Sequence, residues 1–211
     1  MALARKTLGK RKNRKEEQRR DQIKLAAVRL FSTKGYDQAT MDDLMMEAGV
    51  SKSLIYWYWP SKHALLSELV DTCMSQYRDL LREALDSDAP FAEKINRLLD
   101  DYLELQEKNA SLNRLVHFCS IHTAKKGGEG FSRQVNDWYA KVLNLLTGLF
   151  AQGAAEGLLP REMDPGHIAL TILSFVEGYI YMTILEERPG LDKLLRPMIA
   201  GFLPFFKNKE P

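Results

Sequence analysis

Ser51, Lys52 and Ser53 follow Gly49-Val50 at a point where loop gives way to helix. Two hydroxyls and an ammonium at a helix N-terminus, beside unpaired backbone N–H groups and the positive end of the dipole, suit a phosphate or a base edge. Little else in the chain suits catalysis. His63, His117, His122 and His167 are scattered. His117 and His122 lie five apart, about 500° around a helix, and diverge. Cys119 and His122 supply two ligands where a closed metal site wants four. The acid pairs Asp100-Asp101 and Glu186-Glu187 are adjacent, so their side chains point apart and read as solvated faces. Lys125-Lys126-Gly127-Gly128 lacks phosphate-loop spacing, and no nucleophile elbow appears. The expectation is a binding protein without catalytic residues, metal site or cofactor.

The elements that position Ser51–Ser53 are two short helices. Thr40 caps the first, with Asp43 completing the capping pattern, and Met41, Leu44, Met45 and Ala48 recur at helical spacing. Gly49 supplies the left-handed turn that ends it, and Val50 fills the corner. Ser51 is a second N-cap. Ile55 and Trp59, four apart, form the buried side of the second helix, and Pro60 closes it. Two short helices around a Gly turn make a helix-turn-helix, whose second helix enters the DNA major groove. Tyr56 and Trp57 then lie off the buried face, where large rings cost solubility unless a partner covers them. An ordinary helical hairpin with aromatic packing is the plainer alternative.

The run A-G-V-S-K-S-L-I-Y-W-Y from Ala48 to Tyr58, followed by P-S-K at Pro60–Lys62, resembles the DNA-binding signature of the tetracycline-repressor-like (TetR) family. The likeness is close over Ala48–Lys62 and looser over the helix from Gln22 to Gly35 and the start at Thr40, about a quarter of the chain. It implies that Tyr56 and Tyr58 contact DNA, commonly at the backbone, and that Thr40 and Lys62 bind phosphates. Leu54 departs from the family, which usually has a small or polar residue there. An apolar contact, such as one to a thymine methyl, then replaces a hydrogen bond. Trp57 either stacks on sugar or packs against the head.

The 211 residues carry a net charge of +2 that hides an asymmetry. Residues 1–24 hold ten Lys/Arg against three acids, a net +7, which leaves −5 for the remainder. A basic arm on an otherwise acidic chain marks a polyanion partner, and residues 1–16 are expected as a flexible arm that orders on DNA. No apolar run follows the basic start, so no secretory signal peptide is expected. Cys73 and Cys119 lack metal spacing and read as buried reduced thiols, which suits the cytoplasm.

The rest is expected to be helical, giving an all-α protein of about nine helices. Residues 17–62 form a three-helix DNA-binding head, and 63–211 a ligand-binding and dimerisation domain. Ile23, Ala26, Ala27, Leu30 and Phe31 stripe the first helix, which ends at Gly35. A long fourth helix runs from Ser61 to about Asp86 and links the two parts. A fifth ends near Asn109, a sixth spans 112–123, a seventh about 131–156, and Asp164-Pro165 opens an eighth. Ile168–Leu185 contains Glu177 as its one charge. The run is at the short limit for a membrane and lacks basic flanks, so burial between the domain and a second subunit is expected instead. A ninth helix starts near Leu191, broken by Pro197 and Pro204.

Tyr77, Tyr102, His117, Trp138, Phe175 and Tyr179 are the candidate lining of an apolar effector pocket, within a wider set that includes Arg114, His122, Tyr139, Glu177 and Tyr181. Each is equally at home in ordinary core packing. The leading expectation is a homodimeric regulator that reads a palindromic duplex operator and is released by a hydrophobic or aromatic small molecule. Its rivals are a DNA-binding regulator governed by a protein partner, and a helical enzyme, which the missing constellations disfavour.

Overall fold

A computed structural model describes residues 2–125, 129–159 and 162–186. Every regular element among them is a helix: α1 (Ala2–Lys34), α2 (Met41–Ala48), α3 (Lys52–Tyr58), α4 (Lys62–Asp86), α5 (Phe91–Lys108), α6 (Ala110–Lys125), α7 (Glu129–Ala155) and α8 (Pro165–Glu186). The expected ninth helix lies outside the described residues. No helix among the described residues is long and apolar enough to cross a membrane.

Helix α1 is longer than expected. The basic segment expected as a flexible arm is continuous with it, in helical conformation from Ala2. The segment is rich in Lys, Arg, Ala and Leu, all strong helix formers, and Gly9 is its weakest position. The chain divides into two compact units, and the boundary differs from the expected one. The first unit comprises residues 1–72 and 111–119, so it takes the start of α4 and part of α6. Leu65, Leu66, Leu69 and Val70, all buried, belong to this unit, as do the buried Ile23, Ala26, Ala27, Phe31, Leu44, Ile55 and Trp59.

The turns of the first unit follow the local chemistry. Gly35 and Gly49 adopt φ of 84° and 63°, which other residues rarely adopt. The N–H of Val50 donates to Met45 O at 3.2 Å and that of Gly49 to Met46 O at 3.3 Å, closing α2. Thr40 and Asp43 form the expected reciprocal capping box. Ser51 occupies the N-cap position of α3, but its hydroxyl makes no capping bond there. It lies 3.1 Å from Ser53 Oγ instead.

In the second unit a core forms from Leu81, Phe91, Ile95, Val142, Leu146, Leu149, Phe150, Leu159, Ile168 and Ala169. Pro90 stands at the N-cap of α5 and has no acceptor side chain. The Glu156 carboxylate takes its place, accepting from Phe91 N at 3.0 and 3.1 Å. Asp164 caps α8, with Oδ1 accepting from His167 N at 3.0 Å. Helix α8 is not buried on every side within the chain. Ile168, Ala169 and Ile180 are buried, whereas Leu170, Tyr181 and Met182 are at least 44% exposed, with the exposed Ser174 and Gly178 between them.

Candidate functional site

Helix α3 carries the outward chemistry of the first unit. Ile55 is buried, and Trp59 just past the helix end is also buried, which fixes the opposite face outward. Ser51, Lys52 and Ser53 are exposed, and Leu54 is half-buried. Tyr56 and Trp57 are 44% and 69% exposed, so the rings expected to meet a partner do face solvent. Lys52 pairs with Asp42 at 2.6 Å, and that hydrogen bond raises the Lys52 ammonium above its ordinary value.

Three expected DNA contacts sit differently. The Lys62 ammonium donates to the carbonyls of Tyr36 (2.6 Å), Ala39 (2.7 Å) and Asp37 (3.3 Å), so it ties down the loop after α1 rather than standing ready for a phosphate. Those carbonyls follow the end of α1, where backbone acceptors lack helical partners. The Thr40 hydroxyl donates to Asp43 Oδ2 at 2.7 Å and accepts from Asp43 N at 3.1 Å, so capping engages it as both donor and acceptor. Tyr58 is half-buried, with its hydroxyl 3.4 Å from Glu16 O on α1. Its ring meets Trp57 edge-on at 4.7 Å and lies 5.3 Å from that of Trp59.

A residue outside the expected set orders this surface. Glu68, on α4, accepts from Trp59 Nε1 at 2.7 Å, pairs with Arg20 at 2.5 Å and pairs with Lys24 at 2.7 Å. Burial raises its carboxyl, but Lys24, Arg20 and Trp59 together outweigh that and hold it below the ordinary range. The Arg20 guanidinium lies 5.5 Å from the Trp59 ring centroid. One sequence signal pointed here: a buried tryptophan N–H requires an acceptor, and Glu68 is nine residues on.

In the second unit the aromatic candidates partly converge. The Tyr77 and Tyr102 rings are 5.5 Å apart, and the Tyr102 hydroxyl accepts from Gln106 Nε2 at 2.6 Å. Trp138 donates to Met74 O at 2.9 Å and meets Tyr139 edge-on at 4.8 Å. Tyr139 and Glu177, outside the core candidate set, are hydrogen-bonded to each other. Burial pushes the Glu177 carboxyl up, against the opposing effect of that bond. Burial, then the neighbouring Glu177, raises the phenols of Tyr102 and Tyr139. Phe175 and Tyr179 are half-buried two residues either side of Glu177, a spacing that sends side chains to different sides of a helix. His117 falls in the first unit, where burial lowers its imidazole. Cys73 is a buried free thiol, pushed up to about 12 by that burial.

Residues 23–69 match the model for bacterial regulatory proteins of the tetR family. The biofilm operon icaADBC HTH-type negative transcriptional regulator IcaR of Staphylococcus epidermidis is 32% identical over 179 residues, covering 82% of this chain and 88% of its own. Among solved structures, the fatty acid degradation regulator FadR from Bacillus halodurans superposes with a TM-score of 0.75 at 23% identity, covering 88% of this chain and 94% of that one. FadR from Bacillus subtilis in complex with stearoyl-CoA gives a TM-score of 0.70 at 20% identity, over 86% and 96% of the two chains. The exposed α3 face, the matched head and the whole-length relative lead to one conclusion: the chain belongs to the TetR family of helix-turn-helix, DNA-binding transcriptional regulators.

Proposed function

We propose that this regulator is a homodimeric repressor, released from a palindromic operator by a hydrophobic or aromatic small molecule. The observation that carries the effector is the meeting of Tyr77 with Tyr102, of Trp138 with Tyr139, and of Tyr139 with Glu177, in the second unit. Rings with a few polar groups suit an apolar ligand. The first unit, with the basic residues of 1–16, reads the operator, and Ser51, Lys52, Ser53, Leu54, Tyr56 and Trp57 are its contact residues. The exposed stripe of Leu170, Ser174, Gly178, Tyr181 and Met182 on α8 supports pairing of subunits. Repression, rather than activation, follows the negative regulator that the chain resembles at 32% identity.

Residues 62–72 of α4 belong to one unit and residues 73–86 to the other, so displacement of α4 carries the signal. The ligand must bind the DNA-incompetent state more tightly, because only differential affinity shifts the balance. A tenfold preference corresponds to about 1.4 kcal/mol. The test is a thermal-shift screen of hydrophobic and aromatic compounds, each hit then being added to the protein bound to a selected duplex. A compound that raises the Tm and releases the duplex supports the reading. Hits that stabilise the protein without releasing DNA refute it and favour control by a protein partner.

A further inference from the structure

Helix α3 has seven residues, about 10 Å of axis, and Ile55 is the one residue of it that is buried. A single buried side chain fixes neither the tilt nor the rotation of so short a helix. Its leading end is tied to α2 through the Gly49–Val50 turn, and the Ser51 hydroxyl makes no capping bond there. Its trailing end is tied by Trp59, whose side chain is buried and whose Nε1 donates to Glu68 Oε2 at 2.7 Å. The same oxygen takes Arg20 Nη2 at 2.5 Å, and Oε1 takes Lys24 at 2.7 Å. The Arg20 guanidinium, 5.5 Å from the Trp59 ring centroid, closes the cluster and leaves the carboxylate little freedom to swing. One side chain of α4 thus joins α1 to the end of α3.

For a protein whose partner is a polyanion, an acid at this place is unfavourable to binding. It neutralises cations of the head and repels phosphates, so affinity for an arbitrary duplex would be higher without it. Its benefit lies in direction. Phosphate attraction is long-range and tolerates a small displacement of the protein, whereas base-edge hydrogen bonds weaken steeply with distance and angle. We propose that Glu68 is a specificity-determining residue acting through Trp59: it fixes the direction of α3, lowering affinity for every duplex while raising discrimination between duplexes. Glu68 is a positioning residue in this scheme, with no DNA contact of its own. The inference rests on α3 as the reading helix and deepens the operator reading above.

The experiment measures binding of the full-length protein to two fluorescent duplexes by anisotropy. One is a duplex that the wild type selects from a random pool, and the other has the same composition in scrambled order. The readout is the ratio of the two affinities. Partial unfolding scales both affinities by the same competent fraction, so a merely structural loss cancels in the ratio. Trp59→Phe, which keeps a ring and removes the N–H, should lower the ratio several-fold. Glu68→Met, which keeps the length and removes the acceptor, should lower it to a similar degree. Because Glu68 acts through Trp59, the double variant should lose no more than the larger single loss. Glu47→Gln is the control for charge: it removes another acid of the same head, paired with Arg29 at 3.0 Å, and should leave the ratio unchanged. A ratio within twofold of the wild type in either Trp59→Phe or Glu68→Met overturns the proposal. So does a double variant whose losses multiply, or an equal fall in Glu47→Gln. A wild-type protein that binds all duplexes alike, so that none is selected, overturns the operator reading as well.

Discussion

The Lys62 ammonium lies 4.4 Å from the centroid of the Tyr36 ring while donating a hydrogen bond to the carbonyl of that same residue at 2.6 Å. The start of α4 is thereby fastened to the loop between α1 and α2. Removing this cation leaves part-buried carbonyls short of a donor, a loss of about 1–3 kcal/mol. Lys62→Met should lower the stability of the protein by an amount in that range. The salt slope of DNA binding should stay as it was, because no phosphate contact is lost. Chemical denaturation and a salt series of binding isotherms separate the two effects.

Lys52 should behave in the opposite way. In the free protein it is held by Asp42, and both groups are largely exposed, so exchanging that partner for a phosphate is easy. Lys52→Ala is expected to reduce the salt slope by about one. Asp42→Asn, which frees the ammonium, is expected to tighten duplex binding a few-fold at low salt. Fluorescence anisotropy at several salt concentrations measures both.

The capping box predicts a pH signature. Hydrogen bonds from Lys34 and then Thr40 hold the Asp43 carboxyl at about 2, below its ordinary 3.8. A depressed carboxyl pKa stabilises the fold above the unfolded value, and the benefit fades as pH falls from near 4 through 2. Asp43→Asn should therefore lower the Tm at pH 7 and have almost no effect near pH 2. Thr40→Ala should cost about 1 kcal/mol at neutral pH through the lost cap.

Gly178 tests the proposed dimer. A Cβ built there meets nothing within 4 Å, so Gly178→Arg has room in a single chain and should favour helix α8 locally. Dissociation to monomers on light scattering would then report the loss of a partner surface and not a damaged fold. A variant that remains dimeric would place the subunit interface elsewhere.

Gly153 is the contrasting glycine. A Cβ there would lie 2.9 Å from carbons of the buried Phe91 ring. Gly153→Ala should overpack the second unit and destabilise it by about 1–3 kcal/mol, despite the better helix propensity of alanine. Thermal unfolding of the variant measures this.

Much of the first unit was legible in the sequence because its signals are local. The Thr40–Asp43 box, the Gly49 turn and the i,i+4 pair Ile55–Trp59 each lie within a few residues, and each appears in the structure as expected. Glu68 was missed, and the partners of Lys62 and Tyr58 were not foreseen, because these contacts span 9 to 48 residues of chain, to Tyr36, Ala39, Glu16, Arg20, Lys24 and Trp59. Residue type announces that an ammonium or carboxylate needs a partner, but periodicity does not say which one. The second unit shows the same limit. The apolar stripes of α5, α7 and α8 gave the helices, while the meeting of Tyr139 and Glu177 depends on how α7 packs on α8.

The extent of the first unit also bears on how such heads can be exchanged between regulators. A cut at Pro60 or Lys62, where the helix-turn-helix motif ends, would sever Glu68 from Trp59, Arg20 and Lys24 and remove four buried side chains, Leu65, Leu66, Leu69 and Val70. A working chimera must carry α4 through Thr72 and supply a match for residues 111–119. In this chain the unit of transplantation is therefore discontinuous, and a swap of one uninterrupted cassette would deliver the reading helix without the groups that hold its orientation.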